Sequence, residues 1–151
     1  MTDLRDLYQE VILDHNKSPR NFRIIENPSH TSAGVNPLCG DRIQLYVNVD
    51  ADGTIEDVSF QGTGCAISKA SASLMSSIVK GKTTTEAEEL FRRFQTVVTS
   101  DIDSIPEVEH LGKLAVFAGV REFPTRVKCA VLAWHALRAA LYNETKPVST
   151  E

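Results

Sequence analysis

The alternation of apolar and polar residues predicts helices at both ends of the chain and strands between them. Residues 3–15 carry apolar side chains at the three- and four-residue spacing of a helix with one buried face. Pro19 ends this helix, because proline cannot continue it and restricts the residue before it. A polar, extended connection containing Pro28 and Gly34 is predicted to follow.

Two strands are predicted next. Residues 42–49 alternate strictly between apolar and polar side chains, which is typical of a half-buried strand. Residues 50–53 have turn chemistry, and residues 54–60 return as a second strand. Gly62 and Gly64 then end the strand, and a helix rich in small residues is predicted over 66–79.

The remainder of the chain is predicted to be helical. Thr85 and Glu88 have the spacing of a capping box, and the apolar residues up to position 98 fit an amphipathic helix. Pro106 is placed at the start of a shorter helix that includes residues 107–117. Residues 146–151 resemble a loose tail.

Pro124 starts the last predicted helix, which extends to Asn143. Its buried side is predicted to contain Val127, Ala130, Val131, Trp134, Leu137, Arg138 and Leu141. Because the strands come early and the helices late, the order favours an α+β fold over alternating βαβ units.

The composition is that of an ordinary globular chain. Its 151 residues suit one domain. A formal charge of −4 gives no basic footprint for nucleic acid or an anionic membrane, so neither is an expected partner. No apolar run approaches the roughly 18 residues of a membrane span, and the start of the chain lacks a signal-peptide core, so we expect a cytoplasmic protein.

The three cysteines are the first candidates for chemistry. Cys39 lies in a turn before a strand, Cys65 at a strand-to-helix junction, and Cys129 in the first turns of the last helix. An odd number of cysteines in a reducing cytosol is not a disulfide framework. Helix N-termini favour anions, so Cys65 and Cys129 are expected to be biased toward thiolate. Three interpretations of the cysteines remain open: buried inert thiols, a metal site or a reactive nucleophile.

Asp41 favours the metal site. It lies two positions after Cys39, so its carboxylate can point to the same side as that thiol. Three thiolates and one carboxylate make a complete tetrahedral set for Zn²⁺, with an excess of negative charge. Arg42 adjoins Asp41 in sequence, and Arg126 and Lys128 lie shortly before Cys129, so these cations can offset that charge. Taken singly, each cation is better explained as an ordinary solvated side chain.

Other chemistry is weakly indicated. The segment Gly62–Gly64 lacks the third glycine and the Lys-Ser/Thr pair of nucleotide-binding loops, and no Ser-His-Asp set is apparent. None of the four histidines is expected to bind metal. A surface role or a contact with a helix C-terminus explains His15 and His30, and His110 is far from any cysteine in sequence. His135 lies six residues past Cys129, so on a helix it faces away from that cysteine.

The contexts of the cysteines resemble the NifU N-terminal/IscU family. The matching segments are residues 36–41 (NPLCGD), 62–71 (GTGCAISKAS), 126–134 (RVKCAVLAW) and 7–15 (LYQEVILDH), the last followed by Pro19-Arg20-Asn21. The resemblance covers nearly the whole chain. It implies an α+β fold in which a small antiparallel sheet of about three strands packs against several helices.

Two departures from the IscU-type scaffolds resemble the SufU branch of the family. Those scaffolds carry a histidine immediately before the third cysteine, where this chain has Lys128. The stretch between Cys65 and Cys129 is also longer, which indicates a helical insertion around residues 82–105 of the single domain 1–151. Members of the SufU branch are zinc-dependent sulfur-transfer proteins that work with a cysteine desulfurase.

The resemblance implies that Cys39, Asp41, Cys65 and Cys129 hold one zinc ion and that Cys39 also accepts sulfur. In this branch, docking of SufS, a PLP-dependent cysteine desulfurase, is understood to expose this cysteine by supplying a replacement ligand. Cys39 then takes the terminal sulfur of the enzyme's persulfide and relays it toward a Suf scaffold for iron–sulfur cluster assembly. The nearby cations of the last helix are expected to balance charge or assist transfer.

Two other functions stay open. The same four residues can assemble a 2Fe–2S cluster directly, since thiolates suit both iron–sulfur clusters and zinc. Lys128 weighs against this, because a protonated lysine cannot take over a histidine's ligand role. A zinc-stabilised adaptor that only docks to partners predicts that sulfur never reaches Cys39.

Overall fold

Five helices and four strands follow one another along residues 4–104, 108–144 and 146–150, which the computed structural model describes. In chain order they are α1 Leu4–Lys17, β1 His30–Asn36, β2 Asp41–Val49, β3 Ile55–Thr63, α2 Ala66–Val79, α3 Thr84–Val98, a 3₁₀ helix Gly112–Glu122, α4 Pro124–Leu141 and β4 Val148–Ser149. The order confirms the predicted α+β class.

The strands form one mixed sheet in the order β3-β2-β1-β4. β1 pairs antiparallel with β2, and β2 pairs antiparallel with β3, with Leu45 opposite Phe60. β4 pairs parallel with β1, so the sheet is antiparallel except at this edge. Helices α2 and α4 cover one face of the sheet, and α1 packs on α2.

Two of these strands were not predicted from the sequence. The inward-facing residues of β1 are Ser32, Gly34 and Asn36, so the strand lacks the apolar alternation that identifies β2. Ser32 is satisfied by donating to the carbonyl of Ala136 in α4. The segment predicted as a loose tail contains β4, in which Val148 lies opposite Gly34. Local patterning does not identify either strand, because each one pairs with residues that are distant in the sequence.

The predictions for α1, β2, β3 and α2 are confirmed, with ends that differ by at most a few residues. In β2 the side chains of Ile43, Leu45 and Val47 are buried. Helix α2 spans the predicted residues 66–79.

The later helices differ in detail from the predictions. The capping box of α3 is formed by Thr83 and Glu86, two residues before the predicted pair, because the helix begins at Thr84. The predicted helix start at Pro106 lies outside the described residues, and the helical segment that follows is of the 3₁₀ type and begins at Gly112.

Helix α4 forms the centre of the core. Trp134 is fully buried and stacks on Phe94, with ring centroids 5.1 Å apart. Arg138 was predicted on the buried side but is exposed, with its guanidinium 5.7 Å from the Tyr142 ring. The periodicity of this helix is misleading because alanines make most of its circumference apolar and buried. The helix also ends at Leu141, before the predicted Asn143.

Within the described ranges, none of the helices is both long and apolar enough to cross a bilayer.

Candidate metal centre

The turn between β1 and β2 carries the first cysteine. Its geometry follows from the sequence: the Cys39 N–H donates to the Asn36 carbonyl at 3.3 Å, and Pro37 occupies the second turn position, where its fixed φ is favourable. Gly40 completes the connection with a φ of 71°, which favours glycine. Cys39 is therefore exposed in the loop, whereas Asp41, the first residue of β2, is buried.

The Asp41 carboxylate lies at the junction of three segments. Its Oδ1 accepts the backbone N–H of Cys65 at 2.8 Å, and its Oδ2 accepts the side-chain amide of Asn36 at 3.1 Å. A Cβ at position 64 would collide with Oδ1, so Gly64 is required for this close approach. The glycine-flanked context of Cys65 is thus explained by the carboxylate that it accommodates.

The other two cysteines lie on helices that meet at this carboxylate. Cys65 is the N-cap of α2, and its sulfur accepts the Ser68 N–H at 3.5 Å. The same sulfur is 3.9 Å from Asp41 Oδ2. Cys129 lies in the second turn of α4, where it is buried, and its sulfur is 3.5 Å from that of Cys39.

Three of the four predicted ligands form a compact donor group. One ligand atom from each of Cys39, Asp41 and Cys129 lies within 4.8 Å of the other two. Cys65 is outside this group as the structure stands, although its sulfur is next to Asp41. Soft thiolates with one carboxylate are a donor set that suits zinc and iron–sulfur clusters better than hard cations.

The two helix cysteines have pKa values shifted in opposite directions. The neighbouring Cys129 thiol, with help from Ser68, lowers the pKa of the Cys65 thiol to about 6. The neighbouring Cys65 raises the pKa of Cys129, and burial adds to the effect. These directions agree with the expected thiolate bias at Cys65 and run against it at the buried Cys129.

Two residues that the sequence did not single out as site residues lie beside these thiols. Asn36 donates to Asp41 and also to the Cys129 sulfur, at 3.4 Å. Tyr8, within the matching segment of residues 7–15, has a buried hydroxyl whose pKa is raised, chiefly by burial, while the nearby Arg126 acts in the opposite direction. Asn36 stands inside the matching segment of residues 36–41, which is the one signal that pointed to it.

The predicted cations of α4 lie at the exposed start of that helix. Arg126 stacks on the exposed ring of Phe123, with its guanidinium carbon 4.3 Å from the ring centroid. Lys128 is half-buried, and Arg42 is exposed on β2. Their predicted effect on the charge of the centre stays a prediction.

The four histidines do not belong to the donor group found among the described residues. His15, expected either at the surface or as a partner of the helix C-terminus, lies in the last turn of α1 and is buried, with Nδ1 2.6 Å from the Ser73 hydroxyl. His30 is hydrogen bonded to Asn143, and His135 meets the Phe91 ring edge-on. His110 is exposed.

Comparisons with known proteins agree on one family. The family model of the NifU-like N-terminal domain matches residues 7–148. The chain is 41% identical, over 94% of both proteins, to the zinc-dependent sulfurtransferase SufU of Bacillus subtilis strain 168. It is 40% identical to the iron-sulfur cluster assembly scaffold protein IscU of Streptococcus pyogenes serotype M1, over 93% of this chain and 86% of that one.

A solved structure shares this fold. It is that of a putative iron-sulfur cluster assembly scaffold protein for the SUF system, from Fervidobacterium islandicum AW-1. The two chains superpose with a TM-score of 0.81 and 36% sequence identity, over 89% of this chain and 96% of that one.

Proposed function

This chain belongs to the family of NifU-like N-terminal domains, and on that basis we propose that it is a zinc-dependent sulfurtransferase with Cys39 as its sulfur acceptor. One observation carries the proposal: Cys39 is an exposed thiol whose sulfur lies 3.5 Å from a buried thiol and within 4.8 Å of a buried carboxylate oxygen. An exposed thiol can meet a partner protein, while the buried donors stay in place.

The donor set fits zinc. Cys39, Asp41, Cys65 and Cys129 are the proposed ligands, and three of them already converge. Zinc, when bound, keeps its thiol ligands deprotonated at neutral pH and has no redox chemistry of its own. Asp41 and Cys129 are buried and Cys65 is half-buried, so these three residues are assigned to retention of the zinc, and the exposed Cys39 is assigned to transfer. Arg126 and Lys128 are proposed to offset the negative charge.

The transfer step is an exchange between sulfur atoms. The Cys39 thiolate attacks the outer sulfur of a cysteine persulfide on the desulfurase, and a new S–S bond forms. The S–S bond of the donor breaks, and the desulfurase cysteine leaves as a thiolate. The number of S–S bonds is unchanged, so the step needs neither an oxidant nor a reductant.

The proposed partner is a PLP-dependent cysteine desulfurase of the SufS type, and the proposed recipient is a Suf cluster scaffold. Two exposed apolar side chains adjoin the centre in sequence: Leu38 precedes Cys39, and Phe123 precedes the helix that carries Cys129. Exposed apolar residues beside a reactive group are typical of protein interfaces. The desulfurase is proposed to dock over these two side chains.

The direct test is a sulfur-trapping experiment. The chain is incubated with a cysteine desulfurase and L-cysteine, then alkylated and digested, and the Cys39 peptide is examined by mass spectrometry. We expect one added sulfur on Cys39 and faster desulfurase turnover, and we expect Cys39→Ser to show neither. If Cys39→Ser stimulates turnover as well as the wild type does, or if Cys39 gains no sulfur, the proposal is wrong. The second result would also favour a docking adaptor.

A second candidate, a scaffold that builds a 2Fe–2S cluster as its product on the same residues, is favoured by the names of the Streptococcus and Fervidobacterium relatives. The two functions differ in what the purified chain contains. A colourless protein with one zinc per chain supports transfer. A brown protein, with visible charge-transfer absorption that grows when Fe²⁺, L-cysteine and a desulfurase are added anaerobically, supports the scaffold.

A further inference from the structure

We infer that Asn36 is a positioning residue of the metal centre, whose side-chain amide holds Asp41 and Cys129 in place independently of Cys39; this inference rests on the proposed metal site. Asn36 is the last residue of β1 and is fully buried. It carries neither a charge nor a group that ordinarily ligates zinc, so its contribution acts through the residues that it touches.

The contacts of the amide nitrogen use both of its hydrogens. Nδ2 lies 3.1 Å from Asp41 Oδ2 and 3.4 Å from Cys129 Sγ. A primary amide has two N–H groups, so one can be directed at each acceptor. One side chain thereby connects two proposed ligands that are 88 residues apart in the chain, one on β2 and one on α4.

The orientation of the amide follows from the chemistry of its neighbours. An ionised carboxylate only accepts hydrogen bonds, so the Asn36 atom that faces Asp41 must be the NH₂ group. In this orientation Asn36 Oδ1 is buried and, among the described residues, has no hydrogen-bond partner. Burying an unpaired acceptor costs stability, so the amide is poorly explained as a packing residue and well explained by its two donors.

The backbone of Asn36 is fixed by the same part of the fold. Its Cα lies opposite that of Asp41 in the β1–β2 pairing, and its carbonyl accepts the Cys39 N–H. When the Cys39 side chain moves to meet a partner, Asp41 keeps its bonds from Asn36 and from the Cys65 N–H, and Cys129 keeps its bond from Asn36. The buried part of the centre therefore has support that does not involve the moving thiol.

Hydrogen bonds to metal ligands fix their orientation and tune their electron density, and losing one typically weakens metal binding roughly 10- to 100-fold. The test compares zinc affinity, measured by chelator competition, and the Co²⁺ absorption spectrum of the wild type with those of Asn36→Asp and Asn36→Ala. Asn36→Asp keeps the size of the side chain but replaces both donors with a carboxylate oxygen. Asn36→Ala removes the donors without adding charge.

Asn48→Asp is the matched control. Asn48 lies opposite Asp57 in the β2–β3 pairing, as Asn36 lies opposite Asp41, so the change adds the same charge beside a strand carboxylate away from the centre. Its Oδ1 accepts the Ser29 N–H, a role that aspartate keeps. Melting temperatures of the metal-free variants measure any general loss of stability.

We expect both Asn36 variants to bind zinc roughly 10- to 100-fold more weakly and to shift the thiolate-to-cobalt charge-transfer band, because Cys129 loses a donor. Asn48→Asp should change neither. If both Asn36 variants bind zinc as tightly as the wild type, this inference is wrong but the proposed function is unaffected. Weaker zinc binding with an unshifted cobalt band has the same consequence, because a purely structural role of Asn36 would produce that result. A wild-type chain that binds no zinc overturns the proposed function and this inference with it.

Discussion

Three thiols of one chemical type occupy three different environments in this protein. Cys39 is exposed in a loop, Cys65 is half-buried at the N-cap of α2, and Cys129 is buried in α4. Reactivity of a thiol depends on its access and on the fraction present as thiolate. The proposed division of labour, with Cys39 transferring sulfur and the others retaining the metal, follows from these environments rather than from residue type.

The charge of Asp41 is proposed to be essential for retaining the metal. Asp41→Asn keeps the size of the side chain but removes the negative charge and turns an NH₂ group toward the Asn36 donor or the Cys65 N–H. We expect zinc content, measured by elemental analysis, to fall well below one per chain. Asp57→Asn is the control, because Asp57 pairs with Arg23 and Lys80 away from the centre. Equal zinc in Asp41→Asn and the wild type would remove Asp41 from the ligand set.

The position of the Asp41 carboxylate also requires that residue 64 has no side chain. A Cβ there would strike Asp41 Oδ1 and crowd the Ser68 hydroxyl. We expect Gly64→Ala to lower the free energy of unfolding by about 1–3 kcal/mol, the usual cost of overpacking, and to reduce zinc content. Gly119→Ala meets nothing within 4 Å and should have little effect on either. Urea unfolding and elemental analysis check both variants, and identical results for the two would contradict the model of a tight approach at residue 64.

At the scale of elements, helix ends decide where functional groups lie. The N-cap of α2 is a cysteine rather than the usual Ser, Thr, Asp or Asn, so the sulfur that caps the helix by accepting the Ser68 N–H is also a proposed metal ligand. The next helix, α3, has the standard capping box of Thr83 and Glu86. Helix α3 lies inside the region 82–105, which is proposed as a helical insertion.

The capping box makes a quantitative prediction about α3. Thr83→Ala removes the acceptor for the Glu86 N–H and should lower the free energy of unfolding by about 1 kcal/mol. Thr85→Ala, a change in the exposed first turn of the helix, should stay within about 0.5 kcal/mol. Urea denaturation of the two variants decides between the observed cap and the pair Thr85–Glu88 that the sequence first indicated. A larger loss for Thr85→Ala would show that the helix begins later.

At the scale of the whole molecule, α1 and the residues after it contact the core through polar as well as apolar side chains. The Ser73 hydroxyl in α2 lies 2.6 Å from His15 Nδ1 and accepts the backbone N–H of Arg20 at 2.8 Å. Burial lowers the pKa of His15, Arg20 and Lys113 add to this, and Asp14 opposes it. The neutral imidazole is therefore the form that the folded chain prefers.

Burial of His15 makes the free energy of unfolding depend on pH in a defined direction. The unfolded chain binds a proton at His15 more readily than the folded chain, so protonation favours unfolding. The stabilisation associated with neutral His15 is complete above the ordinary histidine pKa of about 6.5 and is lost as the pH falls below that value. We expect His15→Asn to flatten the decline of the free energy of unfolding between pH 7 and pH 5, measured on metal-free protein. His110→Asn, at an exposed position, should leave the decline as in the wild type.

The sequence by itself determined the elements whose apolar pattern is local, namely α1, β2, β3, α2 and most of α4. Its motifs also placed the four candidate ligands at or near the ends of those elements: Cys39, Asp41, Cys65 and Cys129. Backbone geometry and hydrophobic periodicity act over a few residues, so they can be read from the chain directly.

Only the tertiary structure decided which thiol is exposed and that Asn36 connects Asp41 to Cys129. It also decided that β1 and β4 are strands. Ser32 of β1 donates to a carbonyl of α4, and Gly34 of β1 lies opposite Val148 of β4, so both strands depend on residues far away in the sequence. The physical reason is the same in each case. Burial and hydrogen bonding between residues far apart in the chain depend on how α4 packs on the sheet, and no local pattern specifies that packing.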